Sequence, residues 1–255
     1  ACLPACLPPR YENRAMKVLI VRAAEEARRT AARLEAAGHQ AIIAPVLDIR
    51  ALDFEPPEGS FDAVLATSAH AFGRRERIAG LCGLPIYVVG ARTSDAAQKA
   101  GFLQSKIIAA NAEQLARAVR DRLPSSARLI YLAGRDRKPD IETSLAGACT
   151  LTAVETYEAR AVAALPPAAV AALASGEVDA VLHYSQRSAA IFLDLARCAG
   201  FGHRLGTLRH VTISADAAKP LVESHLPAAV AAQPGEDSMI EELARLGRAN
   251  EAGDA

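Results

Sequence analysis

The sequence predicts an α/β protein made of two similar domains, each built on a parallel β-sheet. Short apolar runs that fit buried strands alternate along the chain with longer stretches rich in Ala, Glu, Arg and Leu, which fit helices. The segment FDAVLATSAHAF at 61–72 also returns in similar form as VDAVLHYSQRSAAIF at 178–192. A chain of 255 residues that is 51% hydrophobic is long enough for two ordinary domains with substantial cores. Strands that alternate with helices are typical of doubly wound parallel sheets.

The predicted strands are short runs of β-branched and other apolar residues, bounded by Gly, Pro or polar residues. The first is KVLIV at 17–21, and the second ends at Pro45, so that a βαβ unit of about thirty residues opens the fold. Residues 52–60 contain two prolines and are predicted to be a loop. In chain order, the predicted strands are 17–21, 40–45, 62–68, 85–90, 106–110, 127–134, 150–160, 179–185, 210–214 and 228–232.

The predicted helices lie between these strands and carry recognisable ends. Gly38 is suited to the C-terminal end of the first helix, and Asn111 is suited to be the N-cap of a later one. The predicted helices are 23–38, 69–81, 91–101, 111–123, 140–148, 168–175, 186–200, 215–225 and 235–247.

An internal repeat extends beyond the first pair of similar segments. Asp62 aligns with Asp179, and YVVGARTSDAAQKAG then aligns with VTISADAAKPLVESH. Residues 17–50 likewise resemble residues 128–160. The chain therefore consists of a short unit and a longer unit, each used twice. Two similar α/β domains follow, and a ligand site between two such domains is the default hypothesis.

Composition excludes several classes of function. Lys and Arg together number 29, as do Asp and Glu, and aromatic residues make up 4%. A global basic field and an aromatic stacking surface for nucleic acid are therefore absent. Five Cys without CxxC spacing and six His without an HExxH motif disfavour metal sites and disulfides, and they favour a reducing cytoplasm. No apolar run approaches the length of a membrane span, about 18 residues.

The two chain ends do not look like parts of the fold. Residues 1–15 are Pro-rich and aperiodic, and they lack the continuous apolar stretch of a signal peptide. We expect them to be a disordered or non-native extension that precedes Met16. The small, polar residues 247–255 are expected to fray.

Several predicted turns directly follow strands and carry small, hydroxyl or cationic side chains. At the carboxyl ends of parallel strands, free backbone N–H groups and helix dipoles favour anions. Ser and Thr at such positions are most often helix N-caps, and a surface Arg is usually only solvated. Because the pattern is repeated, we nevertheless predict an anionic ligand with several carboxylates. The residues concerned are Arg22, Thr67, Ser68, Gly90, Thr93, Gly134, Arg135, Ser185 and Arg187, with Arg137 and Lys138 beside Arg135.

Motifs of other ligand and enzyme classes are missing. The sequence contains no GxxxxGK[ST], no GxGxxG and no GxSxG. Nucleotide hydrolysis and dinucleotide binding are therefore disfavoured. A nucleophilic role for Ser68 or Ser185 is disfavoured as well, because the sequence shows no base to activate either hydroxyl.

Tyr157 is the candidate for chemistry. It lies in AVETYEAR, late in a predicted strand. One interpretation is a half-buried tyrosine whose hydroxyl group faces water. The other is a hydrogen-bond donor to a departing hydroxyl group, because a phenol with an ordinary pKa of about 10 stays protonated at neutral pH.

In their order and spacing, these segments resemble those of uroporphyrinogen-III synthases. The resemblance covers roughly residues 17–246, and no single motif in it is highly specific. The segments that carry it are VLIVR, Pro45, FDAVLATSAHAF, VVGARTSDAAQKAG, LIYLAG, VETYEAR, VDAVLHYSQRSAAIF and VTISADAA.

The resemblance implies two flavodoxin-like parallel-sheet domains that are joined by a two-stranded connector, with a cleft between them. In that family one of the domains is discontinuous in sequence. Residues 17–50 and 163–246 would form the first domain, residues 52–160 the second, and residues 46–52 and 157–163 the connectors.

The resemblance also implies an activity. The family cyclises hydroxymethylbilane, a linear tetrapyrrole with eight carboxylates, to uroporphyrinogen III with loss of water and inversion of ring D, in heme biosynthesis. Such a lyase uses no metal and no cofactor. Tyr157 matches the family tyrosine thought to assist departure of the hydroxyl group, and Ser68, Thr93 and Ser185 match hydroxyl positions that line the cleft. We also expect a cytoplasmic monomer that makes transient contact with hydroxymethylbilane synthase.

The sequence departs from the family pattern at one turn. Ser214 and Ala217 stand where the earlier copy has Gly90 and Thr93, so one hydroxyl is missing, although Ser214 remains a predicted binding residue. The alternative is therefore a non-catalytic relative that binds an anionic tetrapyrrole or another small ligand. A periplasmic-type solute-binding protein is a weaker third hypothesis, because it would need a signal peptide.

Overall fold

The structure, a computed structural model, describes residues 15–103 and 105–251. The chain divides into two compact units: the first runs to Asp48 and resumes at Ala161, and the second comprises Ile49–Arg160. The expectations for residues 1–14 and 252–255 lie outside the described residues. The predicted domains, residues 17–50 with 163–246 and residues 52–160, stay a prediction.

The predicted alternation of strands and helices is confirmed, and so is the α/β class. The strands are β1 Lys17–Ile20, β2 Gln40–Ile43, β3 Leu47–Ala51, β4 Ala63–Ala66, β5 Ile86–Val89, β6 Ser105–Ala109, β7 Arg128–Gly134, β8 Thr150–Ala161, β9 Ala180–His183, β10 Arg209–Thr212 and β11 Ala228–Val230. The α-helices are α1 Ala24–Ala36, α2 Arg75–Ile78, α3 Ala91–Lys99, α4 Ala112–Arg122, α5 Asp140–Leu145, α6 Pro167–Ser175, α7 Gln186–Cys198, α8 Ala215–Glu223 and α9 Glu236–Glu251.

The first unit contains a five-stranded sheet in the order β11-β10-β9-β1-β2. Each of its neighbouring pairs is parallel. In register, Leu19 of β1 lies between Ile42 of β2 and Val181 of β9. The carboxyl ends of these strands therefore meet along one edge, where β1, β9 and β10 pass into turns that precede α1, α7 and α8.

The second unit contains a six-stranded sheet in the order β3-β8-β7-β4-β5-β6. The pairs from β8 to β6 are parallel. Two backbone hydrogen bonds flank the β3–β8 pair: Leu52 N–H donates to Thr156 O at 2.9 Å, and Val162 N–H donates to Val46 O at 3.1 Å. Because the residue numbers rise in one strand while they fall in the other, β3 and β8 run antiparallel. These two strands contain most of the predicted connector segments.

Each sheet buries both of its faces, as a doubly wound sheet requires. In the first unit, Leu19 and Val181 belong to one buried cluster, whereas Val18 and Leu182 belong to the cluster on the other face. The second unit divides its strand residues in the same way. This alternation follows from the two-residue period of a strand, and it explains why the strands read as continuous apolar runs.

The predicted continuous helix at 69–81 is wrong. The segment forms a 3-10 turn at Ala69–Phe72, the short helix α2, and a second 3-10 turn at Ala79–Leu81. Phe72 and Ile78 are both buried, although six residues in one α-helix would place them on different sides. The break near Gly73, a poor helix former, allows both side chains to reach the core.

Two ends of helices match the predictions and one does not. The Asn111 side chain accepts a hydrogen bond from Gln114 N–H at the start of α4. Gly38 follows the end of α1 with φ +85°, a conformation in which glycine is favoured. The helix predicted at 235–247 continues past Gly247 to Glu251 as α9, whereas the expected fraying of residues 247–255 stays a prediction.

The repeated segment adopts the same local structure twice. Asp179 Oδ2 accepts a hydrogen bond from Lys17 N–H at 2.8 Å, and Asp62 Oδ2 accepts one from Arg128 N–H at 2.8 Å. In return, the N–H groups of Asp179 and Asp62 donate to the carbonyls of Lys17 and Arg128. Each Asp therefore ties the start of its own strand to the start of a neighbouring parallel strand.

Candidate functional site

In the second unit, predicted residues at the ends of β4 and β7 come together with Tyr157 of β8. Tyr157, on β8, shares a hydrogen bond with Ser68, which follows β4. The Ser68 side chain also caps the 3-10 turn that begins at Ala69, because its Oγ accepts a hydrogen bond from His70 N–H at 3.3 Å. Ser68 therefore holds the Tyr157 phenol and the start of the turn at the same time.

The surroundings of Tyr157 keep its phenol protonated. The side chain is half-buried, and this burial raises its pKa. The hydrogen bond with Ser68 and the positive charge of Arg137 act in the opposite direction. Because the ordinary pKa of tyrosine is already about 10, Tyr157 remains a proton donor at neutral pH.

Gly134 leaves the space that the Tyr157 ring occupies. A Cβ atom at position 134 would lie 2.7 Å from Cζ and 2.8 Å from Oη of Tyr157. Real Cβ atoms essentially never approach other atoms this closely, so a side chain at 134 would displace the phenol. The sequence predicts Gly134 as a binding residue, and the structure gives it a steric role beside Tyr157.

Sequence reasoning missed two aromatic neighbours of this cluster. Thr67, a predicted site residue, shares a 2.8 Å hydrogen bond with the hydroxyl of Tyr131. The His70 ring packs against the Tyr157 ring with their centroids 5.7 Å apart. Tyr131 lies three residues before the end of the predicted strand 127–134, so its position near a strand end could have been noticed. His70 gave no such signal, because its turn is predicted as helix.

We name this group the Tyr157 cluster; it consists of Thr67, Ser68, His70, Tyr131, Gly134 and Tyr157. Arg137 is close to it: its guanidinium donates to Gly134 O at 2.9 Å and to Glu142 Oε1 at 2.6 Å, and it lies 5.9 Å from the centroid of the Tyr131 ring. The cluster thus combines neutral hydroxyl groups with one nearby cation.

Other predicted residues of the second unit lie at its strand ends without joining this cluster through a hydrogen bond. Gly90 precedes α3 with φ +80°, a conformation that glycine allows. Thr93 lies inside α3 and is only 4% exposed. Arg135 is exposed, but its guanidinium is held by Glu155 at 2.8 Å and Glu158 at 2.7 Å.

In the first unit, Arg22 follows β1 and is held by residues that the sequence did not connect with it. Its guanidinium stacks on the ring of Tyr184, 3.9 Å from the centroid, and it lies 3.5 Å from Glu236. The Tyr184 hydroxyl donates to Glu236 Oε1 at 3.0 Å. Burial is the main reason that the pKa of Tyr184 rises to about 12. These contacts join positions far apart in sequence, so no local pattern indicates them.

The predicted serines of the first unit are helix N-caps. Ser185 Oγ accepts a hydrogen bond from Ser188 N–H at 3.1 Å before α7, and Ser214 Oγ accepts one from Ala217 N–H at 3.3 Å before α8. Ser185 and Arg187 are exposed. The Ala217 side chain is 1% exposed, so its position faces the core. The first N–H groups of α7 and α8 have no partner within their helix, which makes both helix starts receptive to anions.

The residues that the structure describes offer neither a metal site nor a membrane-spanning helix. Among them, no group of three or more His, Cys, Asp or Glu side chains is arranged to hold a metal ion. None of the helices described is long and apolar enough to cross a bilayer.

Two predominantly parallel sheets with hydroxyl-bearing turns after their strands define a two-unit α/β protein, a class in which ligands commonly bind at the carboxyl ends of the strands. A sequence model of the family described as uroporphyrinogen-III synthase HemD matches residues 28–241. The chain therefore belongs to the uroporphyrinogen-III synthase family, whose function lies in tetrapyrrole biosynthesis. No curated protein matches the chain.

Solved structures show the same fold. Uroporphyrinogen-III synthetase from Helicobacter pylori is 15% identical, with a TM-score of 0.64 over 91% of this chain and 99% of its own. A mutant uroporphyrinogen III synthase from Thermus thermophilus is 18% identical, with a TM-score of 0.50 over 91% of this chain and 98% of its own. At sequence identities of 15% and 18%, this structural similarity establishes the fold alone.

Proposed function

We propose that the protein cyclises hydroxymethylbilane to uroporphyrinogen III, with loss of water and inversion of ring D. Family membership supports a cyclising, lyase-type enzyme. The observation that carries the proposal is the position of Tyr157, a protonated phenol that shares a hydrogen bond with Ser68 and packs over Gly134 at the carboxyl ends of parallel strands.

The first step needs a proton donor. The terminal C–O bond of the bilane breaks as the departing hydroxyl takes the phenolic proton of Tyr157 and leaves as water. The pyrrole nitrogen lone pair stabilises the resulting azafulvene cation. Loss of the proton leaves a Tyr157 phenolate, which burial disfavours. The Ser68 hydrogen bond and the Arg137 charge would stabilise this phenolate until it regains a proton.

The second step depends on the conformation of the substrate. The substituted carbon of ring D attacks the cation to give a spiro species, which rearranges and loses a proton. Spontaneous closure would instead give the unrearranged isomer. The protein must therefore hold a flexible chain in one curled conformation, which is catalysis by orientation more than by acid–base chemistry.

Carboxylate binding is proposed for the strand-end turns of both units. The N-terminal amides of α3, α7 and α8 can donate hydrogen bonds to carboxylates, and Arg187 lies in the first turn of α7. Arg22 and Arg135 already contact carboxylates of the protein, so either would have to exchange a partner to bind substrate. Cofactor independence, a cytoplasmic location, a monomeric state and transient contact with hydroxymethylbilane synthase belong to the same proposal.

The test is an isomer assay. Enzymatically generated hydroxymethylbilane is incubated with the protein, the products are oxidised, and the porphyrin isomers are separated. Isomer III in excess of isomer I is the expected result, with an incubation without protein as the control. Isomer I alone, formed at the uncatalysed rate, would reject the proposal.

The alternative is a non-catalytic member of the family that binds an anionic tetrapyrrole. It is favoured by the core-facing Ala217 at the α8 turn, where the earlier copy carries Thr93. Tight binding of the linear tetrapyrrole without formation of isomer III would support this alternative over the enzyme.

A further inference from the structure

A cavity of about 310 Å³ lies within the second unit, beside the Tyr157 cluster. It is bounded by β3, by the 3-10 turn Ala69–Phe72, by the start of α2 and by the second half of α3. Small-molecule sites commonly have volumes of roughly 300 to 1,000 Å³. The cavity is therefore large enough for one five-membered ring with its side chains, and too small for a whole tetrapyrrole.

The charged side chains that line this cavity are basic. Arg75 and Lys99 line it together with His70, and no carboxylate does. Within the described part of the chain, neither Arg75 nor Lys99 forms an ion pair. Asp53 and Glu55, which follow β3, bind Arg77 instead, and Glu76 lies 3.9 Å from Arg74. Two cations without an acidic partner make the cavity attractive to a carboxylate.

The remaining walls are apolar. Ile49, Phe72 and Ala96 contribute hydrocarbon surface. Gly73 lies against β3 so closely that an added Cβ would come within 2.9 Å of the Ala51 side chain. A flat, weakly polar ring with acidic substituents fits this combination better than a free inorganic anion does, because such an anion gains nothing from apolar walls.

His70 connects the cavity with the proposed catalytic phenol. Its ring lines the cavity, and the ring centroid lies 5.7 Å from that of Tyr157. A ligand in the cavity would therefore be separated from Tyr157 by about one aromatic ring. A ligand ring bound in this cavity would thus lie close to the Tyr157 cluster.

We propose that this cavity binds one pyrrole ring of the linear tetrapyrrole, with Arg75 and Lys99 holding its carboxylate side chains. The inference rests on the proposed function for the identity of the ligand. The binding chemistry itself, an aromatic ring with two carboxylates, follows from the lining of the cavity.

The test uses a probe that needs no catalysis. The ¹⁵N-labelled full chain is titrated with a monopyrrole that bears one acetate and one propionate side chain, and backbone amide shifts are followed by NMR. The largest shifts are expected at Ala69–Gly73 and Ala96–Lys99. The double variant Arg75→Gln/Lys99→Gln should raise the dissociation constant about tenfold, since two exposed ion pairs are lost.

A charge-matched control is Arg74→Gln/Arg117→Gln, which removes two exposed arginines of the same unit that do not line the cavity. It should leave the dissociation constant unchanged. Equal weakening by both double variants, or shifts confined to other parts of the chain, would overturn the proposal.

The same variants separate this proposal from the proposed function. With hydroxymethylbilane, Arg75→Gln/Lys99→Gln should raise KM while kcat stays within about twofold, as expected when binding is lost equally in the ground and transition states. If the monopyrrole binds in the cavity but no isomer III forms, the cavity proposal stands and the proposed function fails. If isomer III forms and the cavity amides do not shift, the cavity proposal fails.

Discussion

The turn after β4 in the second unit and the turn after β9 in the first unit share a framework but differ in chemistry. Ser68 and Ser185 cap the helical segments that follow, and Asp62 and Asp179 tie the starts of the strands to a neighbouring strand. The residue before each serine differs: it is Thr67 in one unit and Tyr184 in the other.

The partners of these two residues belong to different networks. Thr67 shares a hydrogen bond with the neutral hydroxyl of Tyr131. Tyr184 donates to the Glu236 carboxylate and lies beneath the Arg22 guanidinium. The repeated positions therefore specify how each strand begins and ends. The side-chain networks are formed by residues that differ between the two copies. Each network can therefore be tested by substitutions in its own unit.

Replacing Tyr157 with Phe should have the largest effect. We expect kcat for isomer III to fall roughly 100-fold or more, because a general acid commonly contributes 10²- to 10⁴-fold. KM should change much less. The comparable change in the first unit, Tyr184→Phe, is the matched control and should leave kcat nearly unchanged. Equal losses in both variants would remove the distinction between the two networks.

Gly134→Ala should have the next largest effect, although it adds one methyl group and removes no polar atom. The methyl group would collide with the Tyr157 ring, and misplacement by about 1 Å can cost up to 10²-fold in rate. We expect a loss in kcat of at least about tenfold by this argument. Gly83→Ala is the control, since its added Cβ would meet nothing within 4 Å.

A double variant shows whether Gly134 acts through the phenol. In a Tyr157→Phe background, Gly134→Ala should reduce kcat little further, because both changes would remove the same proton donor. Independent, multiplying losses would mean that Gly134 has a separate role. Circular dichroism of each variant confirms that the fold is retained.

The histidines provide a pH-dependent contrast between the units. Among the described residues, those with a lowered pKa are His39, His183 and His210, all in the first unit. Burial is the main cause in each case. His183 Nε2 and His210 Nδ1 lie 3.0 Å apart, and His210 Nε2 is 3.0 Å from the Leu205 carbonyl. Because a carbonyl only accepts, His210 donates through Nε2, and its Nδ1 accepts a hydrogen bond from His183 Nε2.

Below a pH of about 6.5 the unfolded chain binds protons that the folded histidines do not. The free energy of unfolding should therefore fall as pH decreases through this range, by about 1.4 kcal/mol per pH unit for each histidine. Urea denaturation at several pH values measures this slope. His183→Leu should reduce this slope, because it removes one of the buried histidines. A slope that His183→Leu leaves intact would contradict the assignment.

The smallest effect is expected where the two units are alike. Asp62→Ala and Asp179→Ala each remove one carboxylate acceptor from a backbone N–H, which should cost about 1 to 2 kcal/mol of unfolding free energy. Asp95→Ala, on the exposed side of α3, serves as the control. A loss for only one of the pair would show that the repeated Asp does not play the same structural part in both units.

The sequence predicts most of the fold because its signals are local. Apolar runs, Gly38 and Asn111 give the strands and helix ends directly, and the segment at 69–81 fails because burial of both Phe72 and Ile78 depends on tertiary packing. The candidate site is predicted less completely. The order of the turns indicates which residues lie at strand ends.

Contacts between distant positions are the part that sequence reasoning could not reach. The link between Arg22 and Glu236 joins the start of the chain to α9, and the fit of Gly134 against Tyr157 depends on the register of β7 and β8. That Arg75 and Lys99 line a common cavity was missed for the same reason, because this cavity exists only after folding.

Because position 134 has no side chain, the residues allowed at positions 134 and 157 depend on each other. As long as a tyrosine occupies position 157, we expect position 134 to remain glycine, since even a methyl group would occupy the space of the ring. Lineages that have exchanged the tyrosine for a smaller residue are released from this restriction. Covariation of the two positions among homologues would thus distinguish proteins that keep the phenol in place from those that have abandoned it.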